Sequence, residues 1–563
     1  MIRTGTSWQG CMRTLASCVV FSVPVFTVVA QAPCSALKEL VVPTTAIGLP
    51  TRGAIIRSAE SVPASAAEER PNGRYSDEVR PYCKLLGTIA PVDSTAPPIQ
   101  FEVNLPADWN GRALQFGGGG YNGTLITGLS RAPDSPRGTL TPLAQGYATF
   151  GTDAGHQVDD RHEIFAFALN DEALVNFTYA SYKKVRDVAV ALITRRYGRV
   201  PAHVYYVGTS EGGREGLMVA QRFPADYDGV ISRVPVISWV GLSHAQSRNG
   251  PAQADGGWLD SAHVALLNRG VLAACDSLDG LHDGIVSNYM ACRTAFHPES
   301  LRCALGASRR DDCLTDRQVA SVSTLHSPYT FSVPLANGVR SYPGYGYGGE
   351  DQPGGYGNWI SGEQPASFPI PRDARQGTGW VFGGGMLRYF VMRDSSADPM
   401  TYTPAAYADR LRTLSDLMDA TNPDLSAFAA RGGKLIMKEH MADFAQSPFA
   451  GTEYYETVVA RMGQATVDRF MRLYVTPGAT HGGTGVSGTT NQPIPTNVDL
   501  LGALDAWVDA GRAPAKTLVQ TTVATTSPSA VLESRPMCSY PQYPRYLGSG
   551  DPKQATSFEC VGR

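Results

Sequence analysis

The hydrophobic pattern of the chain is a series of short apolar runs, each ending in polar or glycine-rich residues. Residues 99–105 read IQFEVNL, and their strict alternation predicts a half-exposed strand. Short runs of apolar, β-branched or aromatic residues at 113–116, 147–150 and 204–207 predict further strands. The segment 174–197 has its apolar residues near one helical face, which predicts an amphipathic helix. Strands that alternate with helices in this way predict an α/β fold with a mostly parallel sheet.

The run 204–207 leads into the sequence Gly-Thr-Ser-Glu-Gly at 208–212, and a helix-compatible segment follows. This G-x-S-x-G pattern is typical of a sharp strand-to-helix turn, because a side chain at Gly208 or Gly212 would collide with the neighbouring backbone. Such a turn raises the Ser210 hydroxyl above the sheet, and the helix N-terminus behind it favours negative charge. A solvated serine in a glycine-rich turn is the alternative, but the flanking strand and helix favour a nucleophile.

Four consecutive glycines, residues 117–120, follow the predicted strand 113–116. Backbone N–H groups of such a loop can approach a ligand closely. In a serine hydrolase one oxyanion donor comes from a loop of this kind, and the other comes from the residue after the nucleophile. We therefore predict an oxyanion hole formed by the amides of Glu211, Gly119 and Gly120. A flexible linker is the alternative, which the strands on both sides disfavour.

Two turn-rich loops near the C-terminus carry the predicted partners of Ser210. Asp443 comes shortly after a predicted strand at 433–438, and His481 lies in the loop after the short apolar run 473–475. The order serine, aspartate, histidine along the chain is the order that α/β-hydrolases use. We therefore predict Ser210, Asp443 and His481 as a catalytic triad. The chain also offers competing acids and bases, which are Glu439, Asp468, His440 and His156.

The pattern changes after Val236. Residues 237–425 carry four cysteines, many aromatic residues and a Gly/Tyr/Pro-rich tract at 341–362, which either lines a pocket or is a surface loop. We predict that this segment is a lid inserted after the nucleophile. The predicted organisation is a signal peptide at 1–30, the first part of an α/β-hydrolase core at 31–236, the lid at 237–425 and the second part of the core at 426–563.

Within the predicted lid, residues 275–286 read CDSLDGLHDGIV, which places three carboxylates and two glycines close together. Calcium prefers hard oxygen ligands from carboxylates and from carbonyls in tight turns. The spacing differs from that of an EF-hand, and an Asp/Gly turn without metal is the alternative. We predict a structural Ca²⁺ whose ligands are the side chains of Asp276, Asp279 and Asp283 and the carbonyls of Leu281 and Ile285.

The N-terminus is typical of an export signal, because Arg3 and Arg13 lie before or at the start of an apolar run at 15–30. A membrane anchor is the alternative, but the run is short and contains Pro24. We therefore predict a secreted or periplasmic protein with no membrane segment in its mature form. The net charge of −3 gives no reason to expect nucleic acid as a partner.

Eight cysteines lie beyond the predicted signal, and an even number in an exported chain predicts four disulfides. Their spacing lacks the CxxC pairs that are typical of zinc sites. Eight cysteines allow 105 pairings, of which nearest-neighbour pairing is the simplest. The eight are Cys34, Cys83, Cys275, Cys292, Cys303, Cys313, Cys538 and Cys560.

Taken together, these motifs resemble the tannase and feruloyl esterase family of secreted serine esterases. The resemblance rests on the glycine loop, the sequence GTDAGH at 151–156, the serine turn, the aspartate-rich loop, the sequence MLRYF at 386–390 and the sequence PGATH at 477–481. It implies an α/β-hydrolase core, an inserted lid, a lid calcium and neighbour-paired disulfides. It also implies the triad and the calcium ligands at the positions already named.

The chain departs from that family at two positions. The family typically has bridged cysteines directly before the serine and directly after the histidine, where this chain has Thr209 and Gly482. We expect packing and hydrogen bonds alone to hold the triad together. An inactive relative is the alternative, although all three triad residues and the glycine loop are present.

The resemblance implies a secreted serine esterase that hydrolyses small esters of aromatic carboxylic acids, such as feruloyl, galloyl or related benzoate-type esters, through an acyl-enzyme. The alternatives are a catalytically inactive, calcium-stabilised binding relative, an esterase of non-aromatic esters, and a peptidase or lipase. Which acid and which alcohol are preferred stays open. The residues predicted to contact substrate are Trp380 and Arg388, with Trp359 and Phe382 as further candidates from the lid.

Overall fold

The structure, a computed structural model, describes residues 31–69, 75–160, 162–304, 312–369, 375–524 and 530–562. The predicted signal at 1–30 lies outside the described residues. The strands are β1 (Val41–Val42), β2 (Ala54–Val62), β3 (Glu68–Glu69), β4 (Tyr75–Ser76), β5 (Tyr82–Ile89), β6 (Ile99–Pro106), β7 (Arg112–Phe116), β8 (Ala148–Thr152), β9 (His203–Thr209), β10 (Gly229–Arg233), β11 (Tyr329–Thr330), β12 (Ser341–Tyr342), β13 (Lys434–His440), β14 (Met471–Thr476), β15 (Thr517–Val523), β16 (Val531–Cys538), β17 (Tyr543–Tyr546) and β18 (Phe558–Val561).

The α-helices complete the element order. They are α1 (Asp171–Val175), α2 (Ser181–Tyr197), α3 (Glu211–Arg222), α4 (Trp239–Gln253), α5 (Ser261–Cys275), α6 (Tyr289–Ala295), α7 (Asp316–His326), α8 (Thr378–Gly385), α9 (Ala408–Met418), α10 (Ser426–Ala430), α11 (Phe449–Met462), α12 (Gln464–Val467) and α13 (Leu500–Ala510). A π-helical segment, Asn176–Ala180, joins α1 to α2, so the helix predicted at 174–197 is confirmed as one continuous helical stretch.

Ten of the described strands form one sheet in the order β1-β2-β5-β6-β8-β7-β9-β10-β13-β14. In this sheet order, the six neighbouring strands β8-β7-β9-β10-β13-β14 pair in parallel. The strands β1, β2, β5 and β6 pair antiparallel at the other side of the sheet. Because the strands β7, β9, β13 and β14 run the same way, the loops that follow them meet at one edge of the sheet. That edge holds the glycine loop, the serine turn and the two loops that carry Asp443 and His481.

Helices cover both faces of the parallel strands, and the alternation along β9 shows how. Tyr206 is buried in the apolar cluster that also contains residues of α2 and α3. Tyr205 and Val207 are buried in a second cluster with Leu504 and Trp507 of α13. Adjacent residues of a strand point to opposite faces, so a strand buried on both faces needs the continuous apolar run that the sequence has here. The α/β-hydrolase fold predicted from the sequence is confirmed.

The segment between β10 and β13 adds no strand to the large sheet among its described residues. It contains the helices α4 to α10 and the small hairpin of β11 and β12. Part of it has an apolar cluster of its own, to which Leu267, Val322 and Tyr345 belong. The predicted lid boundaries at 237 and 425 fall within this segment and stay a prediction.

The sequence pattern at 467–472 predicts a helix, and the structure contradicts this prediction. Here α12 ends at Val467 and β14 begins at Met471, where it pairs with β13. The residues Met471, Leu473 and Val475 are all buried in the sheet. Tertiary pairing therefore overrides the local helical pattern, as it commonly does for short segments.

Four disulfides join cysteines that are neighbours in sequence. The pairs are Cys34–Cys83, Cys275–Cys292, Cys303–Cys313 and Cys538–Cys560. The simplest of the possible pairings is therefore the one found, with sequence separations of 49, 17, 10 and 22 residues. Among the described residues, no helix is both long and apolar enough to span a membrane.

Candidate active site

The serine turn has the strained geometry that its glycines permit. Ser210 has φ 62° and ψ −120°, and α3 begins at the next residue. A Cβ atom at Gly208 would lie 2.1 Å from the Gly212 carbonyl oxygen, and one at Gly212 would lie 2.7 Å from the Gly118 carbonyl oxygen. Only glycine fits at both positions, so the turn brings the serine, the helix and the glycine loop into direct contact.

The two late loops bring His481 and Asp443 together. The Nδ1 atom of His481 lies 2.6 Å from Oδ2 of Asp443, whose side chain is fully buried. The other oxygen, Oδ1, accepts hydrogen bonds from the backbone N–H groups of Ala445 and Gln446 at 2.8 and 3.2 Å. Both carboxylate oxygens are therefore used, and the acid orients the imidazole from a rigid position.

Ser210 and His481 line the same cavity, whose volume is about 360 Å³. No hydrogen bond joins the Ser210 hydroxyl to the His481 ring among the described residues. Such bonds are often long in ligand-free enzymes and tighten when substrate binds. The other walls come from both predicted parts of the chain, namely Gly118, Gly119, Gly120, Thr209, Arg233, Val236, Ala445, Gln446 and Gly482 from the core and Trp239, Leu242, Gln246, Trp359 and Phe382 from the insertion.

The amides of the glycine loop have different partners. Gly119 donates its N–H to Oδ1 of Asn122 at 2.8 Å, and Gly118 donates to Oε2 of Glu215 at 3.1 Å. Within the described part of the chain, the amides of Gly120 and Glu211 have no such acceptor. Of the three predicted oxyanion donors, Gly120 and Glu211 thus remain available, whereas the Gly119 amide is committed to a side chain that shapes the loop.

Glu215 holds the glycine loop and was missed in the sequence analysis. Its carboxylate accepts hydrogen bonds from the Gly118 amide, from the Asn122 side chain at 2.7 Å and from the Tyr206 hydroxyl. Its side chain is fully buried on α3, five residues after Ser210. The available signal was a carboxylate four residues after the glutamate of the serine turn, on a helix that is otherwise buried.

We expect Glu215→Gln to lower kcat by about 10²-fold with little change in KM. Glutamine keeps the volume, but its NH₂ group must face a donor, so the loop loses a hydrogen bond and the oxyanion donor shifts. Steady-state kinetics on a methyl or p-nitrophenyl ester measure the effect. Glu102→Gln, at a buried carboxylate of β6, is the matched control and should keep wild-type kcat. Equal kcat values for both variants would contradict this role of Glu215.

The competing bases, His156 and His440, are buried and do not line the cavity. His156 is buried, bonds the Tyr121 carbonyl oxygen through Nε2 at 2.8 Å and stacks on Phe167, and burial lowers its pKa to about 4. His440 bonds the Thr480 carbonyl oxygen through Nδ1 at 2.7 Å, and burial lowers its pKa well below the usual value. Both rings therefore stay neutral supports of loops near the cavity rather than members of its wall.

The carboxyl groups that compete with Asp443 do not line the cavity. Glu439 is fully buried, and burial followed by repulsion from Asp443 raises its pKa well above the usual value. Asp468 lies at the end of α12, where Gln464 donates to its carboxylate at 2.8 Å. Neither side chain contacts the ring of His481.

The structure brings two of the four predicted substrate contacts to the cavity. Trp359 and Phe382 line it, and the Trp359 ring lies 5.6 Å from the His481 ring. Trp380 does not line it, because the indole packs against Gly250 of α4 and donates to the Ser367 carbonyl oxygen at 3.1 Å. Arg388 does not line it either, because Glu163 binds its guanidinium through both oxygens, at 3.0 and 2.9 Å.

The Gly/Tyr/Pro-rich tract packs against the loop that carries Asp443. The hydroxyl of Tyr342 accepts a hydrogen bond from the Ser447 amide at 3.0 Å, and the Gly344 carbonyl oxygen accepts one from the Ser447 hydroxyl at 2.7 Å. The ring of Tyr345 stacks on Phe444, next to Asp443. Residues 342–348 of the tract are buried, and the tract reaches the wall of the cavity through Trp359.

The aspartate-rich loop of the insertion folds into tight turns around Asp276. Oδ1 of Asp276 accepts hydrogen bonds from the amides of Asp283, Gly284 and Ile285, at 3.3, 2.9 and 3.2 Å. Asp279 is buried, its Oδ2 has no hydrogen-bond partner among the described residues, and burial raises its pKa to about 6. An orphaned buried carboxylate oxygen is suited to a hard cation.

Two further observations bear on a cation at this loop. Arg535 of β16 pairs with Oδ2 of Asp283 at 2.7 Å, so one of the predicted ligands already has a cationic partner. Among the described residues, no group of three or more His, Cys, Asp or Glu side chains is arranged to hold a metal. The donor set would therefore depend on carbonyl oxygens as well as on the carboxylates.

Comparison with known proteins agrees with this architecture. The family model described as tannase and feruloyl esterase matches residues 83–561. An uncharacterized esterase of Agrobacterium fabrum is 38% identical over 546 residues, which cover 94% of this chain and 93% of the relative. Mono(2-hydroxyethyl) terephthalate hydrolase of Piscinibacter sakaiensis is 33% identical and covers 85% of each chain.

Among solved structures, feruloyl esterase B of Aspergillus oryzae superposes with a TM-score of 0.74 at 25% identity, over 94% of this chain and 100% of that chain. The family match spans the serine turn, the insertion and both late loops, and the relatives cover nearly the whole chain. The chain therefore belongs to the tannase and feruloyl esterase family and is a carboxylic ester hydrolase.

Proposed function

We propose that the protein is a serine esterase for esters of aromatic carboxylic acids, with Ser210 as nucleophile, His481 as base and Asp443 as the orienting acid. One observation carries the proposal: His481, paired with a buried carboxylate at 2.6 Å, lines the same cavity as a serine on a strained turn. Strain at a turn that the fold maintains at its own cost commonly marks a functional residue. The order of the three residues along the chain is the order that this fold uses, which supports the same assignment.

The proposed reaction is acyl transfer through a covalent intermediate. His481 accepts the hydroxyl proton through Nε2 while the Ser210 oxygen attacks the ester carbonyl carbon, and Asp443 stabilises the charged imidazole. The proton then passes to the leaving alkoxide, which departs as the alcohol. Water, deprotonated by the same ring, attacks the acyl-enzyme and releases the acid and the free serine.

The amides of Glu211 and Gly120 are the proposed donors to the tetrahedral oxyanion. Both belong to segments held in contact, because the Gly212 amide donates to the Gly118 carbonyl oxygen at 3.2 Å. The positive end of α3 points at the same place. One such donor is typically worth about 3–4 kcal/mol of transition-state stabilisation.

The cavity wall favours a flat aromatic acyl group. Trp239, Trp359 and Phe382 give it an aromatic lining, and Leu242 adds an aliphatic surface. The indole of Trp239 is fixed, since its Nε1 donates to Oε2 of Glu211 at 2.6 Å. Rigid aromatic walls with few polar groups bind flat apolar ligands well. The named substrates of the relatives, feruloyl and terephthalate esters, have acids of this shape.

A panel of esters tests the proposal. We expect methyl ferulate, methyl gallate and mono(2-hydroxyethyl) terephthalate to include at least one substrate whose kcat/KM exceeds that of methyl butyrate by about tenfold or more, because the aliphatic acid leaves the aromatic wall uncovered. A fluorophosphonate probe should label Ser210, as peptide mapping would show. An unlabelled protein with no turnover of any ester would instead indicate an inactive binding relative.

The same proposal includes export and a structural calcium. Four disulfides suit an oxidising compartment. Asp276, Asp279 and Asp283, with the carbonyls of Leu281 and Ile285, would hold the ion, and its role would be to neutralise buried carboxylates and fix the loop. It would take no part in the chemistry of the ester.

We expect chelation to lower the Tm of the protein by a few degrees. A ligand present at about a hundred times its Kd stabilises the folded state by about 2.7 kcal/mol, which EGTA would remove. Asp279→Asn should show the lower Tm from the start and lose the response to EGTA. Asp255→Asn, at an exposed carboxylate, is the control. A metal-free preparation whose Tm does not change with added calcium would rule the ion out.

A further inference from the structure

Arg233 lies on β10, between β9, the strand that precedes Ser210, and β13, the strand that precedes Asp443. It is the last residue of β10, and its register partners are Thr209 on β9 and Lys438 on β13. Its carbonyl oxygen accepts a hydrogen bond from the Ser210 amide at 2.9 Å. The residue is buried, with 5% of its surface exposed, and the side chain reaches the wall of the catalytic cavity.

The guanidinium of Arg233 joins the two loops that carry the proposed nucleophile and base. Nη1 donates to the Thr209 hydroxyl at 3.0 Å, and Nη2 donates to the His481 carbonyl oxygen at 3.5 Å. The histidine loop closes tightly over the guanidinium, since a Cβ atom at Gly483 would lie 2.1 Å from Nη2. One side chain therefore fixes the residue before the serine and the backbone of the histidine.

A buried carboxylate orients the guanidinium. Oδ1 of Asp134 lies 3.1 Å from Nε of Arg233, and Oδ2 lies 2.9 Å from Nζ of Lys438. Lys438 is fully buried and also donates to the Thr496 carbonyl oxygen at 3.2 Å. Burial by itself would raise the pKa of Asp134, but the two cations outweigh it and lower that pKa. The planar fork of an arginine held on its Nε side can present both terminal nitrogens to other acceptors.

Each nitrogen of the guanidinium has a partner in the protein: Nε is ion-paired with the Asp134 carboxylate, and Nη1 and Nη2 donate to the Thr209 hydroxyl and the His481 carbonyl oxygen. Its contacts also lie where the family resemblance leads one to expect a disulfide, between residue 209 and the loop of residues 481 and 482. We infer that Arg233 is a positioning residue, a non-covalent tie that sets the distance between the Ser210 hydroxyl and the His481 ring. The inference rests on the proposed function of these two residues.

Substitutions at both ends of the tie test it. Arg233→Met should lower kcat by about 10²-fold with KM changed less than threefold, because a small displacement of the base from the nucleophile has an effect of this size. Arg233→Lys should lower kcat nearly as much, because one ammonium group cannot bridge both acceptors. Thr209→Val should lower kcat by about tenfold, through loss of one hydrogen bond to a charged group. Adding Thr209→Val to Arg233→Met should not lower kcat any further, because the hydrogen bond between the two side chains is already lost.

The control is Arg112→Met. Arg112 is a partly buried arginine at the start of β7, at the opposite edge of the sheet, where it pairs with Asp505 at 2.7 Å. Its loss should lower Tm and leave kcat unchanged. Kinetics on p-nitrophenyl butyrate, the Tm of each variant and the rate of fluorophosphonate labelling of Ser210 are the measurements.

The outcomes separate the inference from the proposed function. A folded Arg233→Met that keeps wild-type kcat and labelling rate overturns the tie and leaves the esterase intact. A fully active Arg233→Lys beside an inactive Arg233→Met overturns it as well, because charge alone would then be the requirement. A wild-type protein that is not labelled at Ser210 overturns the proposed function itself. Slower labelling and lower kcat in both Arg233 variants, at unchanged KM, support the tie.

Discussion

Ser210→Ala is expected to lower kcat for an aromatic methyl ester by about 10⁶-fold, the loss seen when a hydrolase of this kind is deprived of its nucleophile. The remaining rate should come from the glycine loop and from binding alone, since these are untouched. Steady-state kinetics at high enzyme concentration measure it. The effect should be this large because, among the described residues that line the cavity, Thr209 has the only other hydroxyl, and that hydroxyl accepts a hydrogen bond from Arg233.

The variant should remain folded. Alanine has the same backbone restrictions as serine at φ 62°, so the strain of the turn is unchanged, and no hydrogen bond of the Ser210 hydroxyl is lost among the described residues. Tm should therefore stay within about a degree of the wild-type value. Retention of more than a hundredth of wild-type kcat, with a homogeneous sample, would refute the role of Ser210.

Asp443→Asn is expected to lower kcat by about 10⁴-fold. The buried side chain should keep its place, because the amide oxygen can still accept from the Ala445 and Gln446 amides at Oδ1. Its NH₂ group then faces Nδ1 of His481, which must become the acceptor. The ring consequently carries its proton on Nε2 and cannot act as a base towards Ser210.

Glu439→Gln is the matched control for this substitution. Glu439 is also a fully buried acid near the end of β13, but burial and repulsion from Asp443 raise its pKa well above the usual value, so the site disfavours a charge and glutamine supplies a neutral group of the same shape. Its kcat should stay within about threefold of wild type. If Glu439→Gln instead lost activity and Asp443→Asn kept it, the two acids would have to exchange roles. The pH profile of kcat/KM in both variants provides an independent readout.

The structure alone decided which members of each predicted set can act. The sequence predicted three oxyanion donors, but the Asn122 side chain occupies the Gly119 amide, and that contact follows from the fold of the loop. It predicted Arg388 as a substrate contact, yet the partner of Arg388 is Glu163, which is 225 residues away in sequence. A local sequence pattern contains no information about a partner so far away in the chain. An arginine that is free to bind substrate and one that is already paired with a carboxylate therefore have the same sequence pattern.

Local chemistry explains what the sequence determined by itself. The serine turn depends on two glycines four residues apart, and the strands and helices depend on the period of their apolar residues. Both are set by residues close together in the chain. The meeting of Asp443 with His481, the support of the loop by Glu215 and the contacts of Arg233 were decided by the tertiary structure. They depend on the register of parallel strands, which brings the ends of distant segments to one edge of the sheet.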